Sequence, residues 1–224
     1  MFKFLKSFTL AETLIVMGVI GVVAALTLPN LNQSTNNKEK VVKVKKIYQN
    51  LEDAFGRAQA VYGSWTDWFS NDKTTILQSK RMGERITEFM KISKNCSNNY
   101  SGCMAKKYNY IDGSNGFDMY NDLYYYILSD GSSIAFDSVS FIYVDIDGPN
   151  KGSNTVGKDF FVFFVDDWNK NNIRIVPNGL GPAGEGCDIP SSDAYDAACW
   201  VIYNDNMDYL KCPGKLSATV TTCK

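Results

Sequence analysis

The sequence predicts an α+β protein in which a long N-terminal helix packs on an antiparallel β-sheet stapled by disulfide bonds. Three observations predict this fold. An apolar run near the N-terminus leads into a segment whose apolar residues recur every three or four positions, as in a helix. Short strand-like runs separated by turn residues follow, which is typical of an antiparallel sheet. The six cysteines, an even number, indicate disulfides.

Composition and charge exclude several classes of function. The chain has 224 residues, of which 45% are hydrophobic, and a formal net charge of −1, which fits one medium-sized domain plus attachments. A near-neutral charge argues against a nucleic-acid partner, because such proteins usually carry a basic surplus. Histidine is absent, and with it the commonest general base and metal ligand. We therefore expect a protein that is not an enzyme.

The first element is a membrane-spanning helix behind a short basic leader. Residues 1–7 contain Lys3 and Lys6, and Phe8 to Leu28 is a run of 21 residues in which Glu12 is the only charge. A helix of that length spans about 30 Å, the thickness of one hydrocarbon core. Inserting a helix with a charged residue near its centre into the membrane costs about 2.5–3.5 kcal/mol more free energy on insertion scales. The sequence thus predicts a short basic segment at 1–7, a transmembrane helix at 8–29 and a globular domain at 30–224.

Three interpretations of this segment compete. A secretory signal would be cleaved after the small residues Ala24 and Ala25, although the apolar run is long for one. A plain single-pass anchor would let Glu12 reach the membrane interface. The third interpretation rests on a constellation of residues with fixed spacing: Phe8, Thr9, Leu10, Glu12, Gly18, Gly21 and Pro29.

This constellation resembles the N-terminus of type IV prepilins and of the pseudopilins of type II secretion. Ser7 stands where that family usually has glycine. The resemblance implies that a membrane-embedded prepilin peptidase cuts between Ser7 and Phe8 and methylates the new amine. It also implies that Glu12 pairs with the Phe8 ammonium of a neighbouring subunit when the subunits assemble, which offsets the cost of burying either charge alone.

The resemblance implies a structural subunit of a type IV pilus or a type II secretion filament, with a pilin-like fold. Its partners would be the peptidase, other copies of itself or other pilin-like subunits, and the inner membrane. The N-terminus would be cytoplasmic and the C-terminal domain extracytoplasmic, in a periplasmic or extracellular filament after assembly. The main alternative is an extracytoplasmic binding domain on an uncleaved anchor, and an enzyme on the same anchor is the third.

Charge gives one conflicting signal about orientation. The lysines after the apolar run would favour a cytoplasmic domain by the positive-inside rule. These are Lys38, Lys40, Lys43, Lys45 and Lys46. The cysteines and the resemblance place the domain outside, and we follow them.

The helix is predicted to continue beyond the membrane. Pro29 predicts a kink, and the polar residues 30–37 predict a hinge. An amphipathic helix follows, with its lysines on the face opposite to the apolar one. The apolar face consists of Val41, Val44, Ile47, Tyr48, Leu51, Ala54, Phe55, Ala58, Val61 and Tyr62.

A shorter helix and a set of strands complete the prediction. Met82, Ile86, Phe89 and Met90 indicate the helix. The strand-like runs are Leu123–Leu128, Ser133–Phe136, Val139–Ile146, Phe160–Val165 and Ile173–Val176, with a hairpin turn at Asp130–Gly131. Residues 194–203 fit a helix or a strand. A helix is favoured because residues 191–193 (Ser-Ser-Asp) offer a cap.

The cysteines predict three disulfides in an oxidising compartment. No two of them form a C-x-x-C pair, and with no histidine a zinc site is disfavoured. Sequence proximity favours the pairs Cys96–Cys103, Cys187–Cys199 and Cys212–Cys223, among the 15 connectivities that six cysteines allow.

The acidic loop from Asp145 to Asp159 is the candidate metal site. Calcium takes oxygen ligands from loops, and Asp145, Asp147, Asn154 and Asp159 supply carboxylate and amide oxygens between two predicted strands. The loop resembles the calcium-binding loop of major pseudopilins, which implies calcium as the bound ion. The alternative is a solvated loop in which Asp, Asn and Gly serve turn geometry.

Overall fold

The computed structural model describes residues 10–138, 140–180 and 186–223, without the side chains of residues 24, 26–35 and 213. Within this range the chain is an α+β protein with an antiparallel sheet and three disulfides, as predicted. It divides into two compact units, Met1–Glu39 and Lys40–Lys224.

The first unit contains the start of helix α1, which spans Leu10–Tyr62. Glu12 lies in the first turn. The helix is not interrupted at Pro29 or in the polar segment 30–37, so the predicted hinge does not break it. In the described part of the chain, no helix carries an apolar stretch that is long enough to cross a membrane. The transmembrane helix predicted for residues 8–29 stays a prediction.

In the second unit, α1 contributes an apolar stripe to the main core. The stripe is Val41, Val44, Ile47, Leu51, Ala54, Phe55 and Ala58, all buried. This confirms the predicted apolar face, except that Val61 and Tyr62 at the helix end are exposed. The prediction that the lysines all lie on the opposite face is wrong. Lys40 is buried, because its position is four residues before Val44 on the same stripe.

A second helix and an aromatic cluster follow α1. A short 3₁₀ turn at Trp65–Asp67 leads to α2, which spans Thr75–Thr87. The rings of Phe55, Trp65 and Trp68 lie 5.3–5.8 Å apart and fill the core beside the end of α1. The predicted helix is thus present but ends before Phe89 and Met90, because the chain turns there into the first strand.

The main sheet has six strands, all paired antiparallel in the order β1-β4-β5-β6-β7-β8. Its strands are β1 Ile92–Ser97, β4 Tyr124–Leu128, β5 Ser133–Phe136, β6 Phe141–Asp145, β7 Phe160–Asp166 and β8 Arg174–Pro177. A separate antiparallel pair is formed by β2 Lys107–Tyr108 and β3 Phe117–Asp118. The five predicted strand runs correspond to β4–β8, with Val139 outside the described residues.

Local signals account for two of the connections. The predicted turn joins β4 to β5, where Asp130 Oδ1 accepts the Ser132 N–H at 3.1 Å and Gly131 has a φ of +86°. The helix predicted at 194–203 is confirmed as α3, Ala197–Asn204. The predicted cap is wrong, because Asp196 precedes the helix and makes no capping hydrogen bond through its side chain.

The three disulfides join the cysteines that sequence proximity favours, at separations of 7, 12 and 11 residues. Cys96–Cys103 joins the edge strand β1 to the segment after it, and Cys187–Cys199 ties the segment after β8 to α3. Cys212–Cys223 closes the C-terminal segment. In the chain-entropy treatment, loops of this size each contribute about 2.5–3 kcal/mol to the free energy of unfolding.

Candidate functional site

Two regions carry the predicted functional residues. Ser7 and Phe8, at the predicted cleavage point, lie outside the described residues. Glu12 is on the exposed first turn of α1. The predicted calcium ligands lie at the end of β6 and in the loop that leads to β7, within the second unit. We call residues 145–159 the acidic loop.

Asp145 is buried at the end of β6 and directed toward its own turn. The Tyr108 hydroxyl of β2 donates to Asp145 Oδ2 at 2.6 Å. The N–H groups of Asp147 and Gly148 donate to Oδ1 at 3.2 and 2.9 Å. Burial raises the pKa of Asp145 to about 6, although these hydrogen bonds act to lower it. Gly148 is required here, since it has a φ of +81° and a Cβ would lie 2.6 Å from the Gly131 carbonyl oxygen.

Asp159 is buried at the other end of the acidic loop, and both of its carboxylate oxygens accept hydrogen bonds. Its Oδ2 accepts the Ser153 N–H at 2.8 Å, the Ser153 hydroxyl at 2.7 Å and the Thr155 N–H at 3.3 Å. Its Oδ1 accepts a hydrogen bond from the Lys40 ammonium. Burial alone would raise the pKa of Asp159. The bonds from Lys40 and Ser153 outweigh that effect and hold the pKa below its usual value.

Two lysines of α1 reach the acidic loop. Lys40 forms an ion pair with Asp159, and its Nζ lies 3.8 Å from Asp147 Oδ2. Lys43 donates to the Ile146 carbonyl oxygen at 2.5 Å. These contacts fasten the loop between β6 and β7 to the helix whose stripe fills the core.

Asp147 lies close to Lys40, to Asp159 and to the backbone of Gly152. A Cβ on Gly152 would lie 2.6 Å from Asp147 Oδ2 and 3.0 Å from Asp159 Oδ1, so the loop backbone passes directly against both carboxylates. Burial and the neighbouring Asp159 raise the pKa of Asp147. Asp147 Oδ1 and Asn154 Oδ1 are both buried, and neither has a hydrogen-bond partner. Among the predicted calcium ligands, these two oxygens are the buried ones that make no hydrogen bond.

The predicted calcium ligands are not assembled as a set. Among the residues described, no group of three or more acidic, histidine or cysteine side chains is placed to hold a metal ion. Asp145 faces Tyr108, because a buried carboxylate must accept hydrogen bonds and its own turn supplies them. The carboxylates of Asp147 and Asp159 face Lys40 instead. The contacts therefore show an electrostatic crosslink, in which the Lys40 ammonium lies against two of the carboxylates predicted to bind an ion.

Sequence reasoning missed Lys40, Lys43 and Tyr108. A signal for Lys40 existed: it stands four residues before Val44 and starts the four-three-four spacing of the stripe. A lysine on an apolar stripe is rarely buried without a carboxylate partner. No comparable local signal indicated Tyr108, whose contact with Asp145 joins residues 37 positions apart.

Comparison with known protein families, with curated proteins and with solved structures found no match to this chain. The likeness to prepilins therefore rests on the residues of the N-terminal segment.

Proposed function

We propose that the chain is a pilin-like or pseudopilin structural subunit, made as a prepilin and assembled from the inner membrane into a type IV pilus or a type II secretion filament. The observation that carries the proposal is the spacing of Phe8, Glu12, Gly18, Gly21 and Pro29 behind a basic leader. Processing at Ser7–Phe8 and pairing through Glu12 are parts of the same proposal.

The fold of the second unit is compatible with this role. A subunit of this kind needs one helix that belongs both to the filament core and to a globular domain. Helix α1 spans Leu10–Tyr62, and its residues from Val41 to Ala58 supply the apolar stripe that is buried in the domain. Three disulfides suit a domain exposed to an oxidising compartment. The transmembrane part of the helix belongs to the proposal, as does the orientation.

Cleavage by a prepilin peptidase tests the proposal. When the full chain is expressed with such a peptidase, we expect it to lose residues 1–7, leaving Phe8 as the first residue. Intact mass of the membrane-extracted protein, with and without the peptidase, measures this loss. A chain that keeps its full mass, or is cut near Ala25 as a secretory signal would be, contradicts the proposal.

Matched variants at one position make the test specific. Ser7→Gly restores the residue usual in the family at this point and is expected to increase the cleaved fraction. Ser7→Trp places a large side chain where a small one is required and is expected to abolish cleavage. Neither change alters the charge or the apolar run, so insertion into the membrane should be equal in both variants.

A further inference from the structure

The Lys40 ammonium sits where a bound cation would be expected. Lys40 is only 9% exposed, and the described contacts of its Nζ are all with oxygens. They are Asp159 Oδ1, the Lys158 carbonyl oxygen at 3.3 Å and Asp147 Oδ2 at 3.8 Å. Two carboxylates and one main-chain carbonyl are also the oxygen ligands that a loop site offers to calcium.

We propose that Lys40 is the resident cation of the acidic loop and takes the place of a divalent ion there. The ammonium neutralises the two converging carboxylates and ties the loop to α1 within the second unit. The order of the loop, and the stability that it contributes, then need no calcium. This inference concerns the globular unit alone and does not depend on the filament function.

The geometry makes the ammonium and a metal ion mutually exclusive. Calcium would have to lie about 2.3–2.6 Å from oxygens of Asp147 and Asp159. The Lys40 Nζ already contacts Asp159 Oδ1, and the Gly152 backbone lies against both carboxylates, so little room is left beside it. A divalent ion at that distance would also repel the ammonium. Calcium can therefore enter only if Lys40 is displaced or removed.

Removing the ammonium would leave a set of oxygens with uncompensated charge. Asp159 Oδ1 and Asp147 Oδ2 would lose their cation. The same loop also holds Asp147 Oδ1 and Asn154 Oδ1, which are buried without hydrogen-bond partners. We therefore expect the variant Lys40→Met to acquire a dependence on calcium that the natural chain lacks.

Thermal unfolding of the full chain in detergent tests this. We compare the natural chain, Lys40→Met and Lys45→Met, each in chelator, in millimolar calcium and in millimolar magnesium. The Lys45 control lies on the same helix, but its ion pair with Asp205 is exposed. In chelator, Lys40→Met should melt about 6–20 °C lower than the natural chain, the cost of breaking one buried ion pair. Lys45→Met should melt close to the natural chain.

Calcium should restore most of the melting temperature of Lys40→Met, and magnesium should restore little, because magnesium demands a tighter octahedron. The natural chain should melt at the same temperature in calcium and in chelator. Three results would overturn the proposal: a natural chain that calcium stabilises, a Lys40→Met chain as stable as the natural one in chelator, or a loss of stability that calcium does not reverse.

A second variant keeps the test decisive if Lys40→Met does not fold in chelator. The double variant Lys40→Met with Asp159→Asn removes both charges of the ion pair and leaves a shape close to the original. It should fold in chelator and gain nothing from calcium. A double variant that calcium stabilises as strongly as Lys40→Met would show that the ion binds elsewhere, which would also overturn the proposal.

Discussion

Replacing Glu12 with alanine is expected to weaken filament assembly strongly while leaving the subunit in the membrane. Removing a charge from the apolar run favours insertion, since that charge costs about 2.5–3.5 kcal/mol on insertion scales. In a filament, however, the Phe8 ammonium of a neighbouring subunit would then be buried without its partner, at a cost of about 3–5 kcal/mol. That cost corresponds to a drop of about a hundredfold or more in subunit association.

Sheared filaments and the membrane fraction, quantified separately by immunoblot, measure this effect. Glu12→Asp keeps the charge on a shorter side chain and should retain part of the assembly. Glu39→Ala removes an exposed carboxylate from the same helix and should leave assembly unchanged. If Glu12→Ala filaments form at the natural yield, the pairing of Glu12 with the Phe8 ammonium is wrong.

Replacing Leu51 with alanine is expected to destabilise the globular unit by about 3 kcal/mol. Leu51 is completely buried in the apolar stripe of α1, and the change leaves a cavity that the surrounding side chains cannot fill. For a chain of this size the melting temperature should fall by about 6–12 °C. Urea unfolding followed by tryptophan fluorescence gives the free energy, because all four tryptophans lie between residues 65 and 200.

Val42→Ala is the matched control for this change. Val42 is in the same helix, nine residues before Leu51, and its side chain is 66% exposed. It should therefore alter the free energy of unfolding by less than about 0.5 kcal/mol. An equal loss in both variants would show that burial in the stripe does not account for the loss in Leu51→Ala.

Local patterns in the sequence were sufficient for the elements that bury apolar side chains at helical spacing or in a short continuous run. The three- and four-residue spacing from Val41 to Ala58 identified the buried face of α1. Runs of apolar and β-branched residues identified β4–β8. Strand β1 was missed because it is an edge strand of mostly polar residues, with two register shifts against β4. Every residue of β1 is exposed or half-buried, so this strand needs no apolar pattern, whereas the opposite edge strand β8 is mostly buried and apolar.

The candidate site was less predictable, because its geometry depends on partners distant in the sequence. The acidic loop was identified from its own composition, but the orientation of Asp145 depends on Tyr108 of β2. The charge balance of Asp147 and Asp159 depends on Lys40, more than a hundred residues earlier. The error about Lys40 came from treating the lysines of α1 as one solvated face, although their helical positions differ.

The mature N-terminus of the protein, purified from the membranes of the cell that makes it, tests the filament assignment most directly. Mass analysis of the N-terminal peptide separates the three interpretations of the first segment. We expect a chain that begins at Phe8 and carries one methyl group on its amine. A chain that still begins at Met1, or one that begins near Ala25, would contradict it.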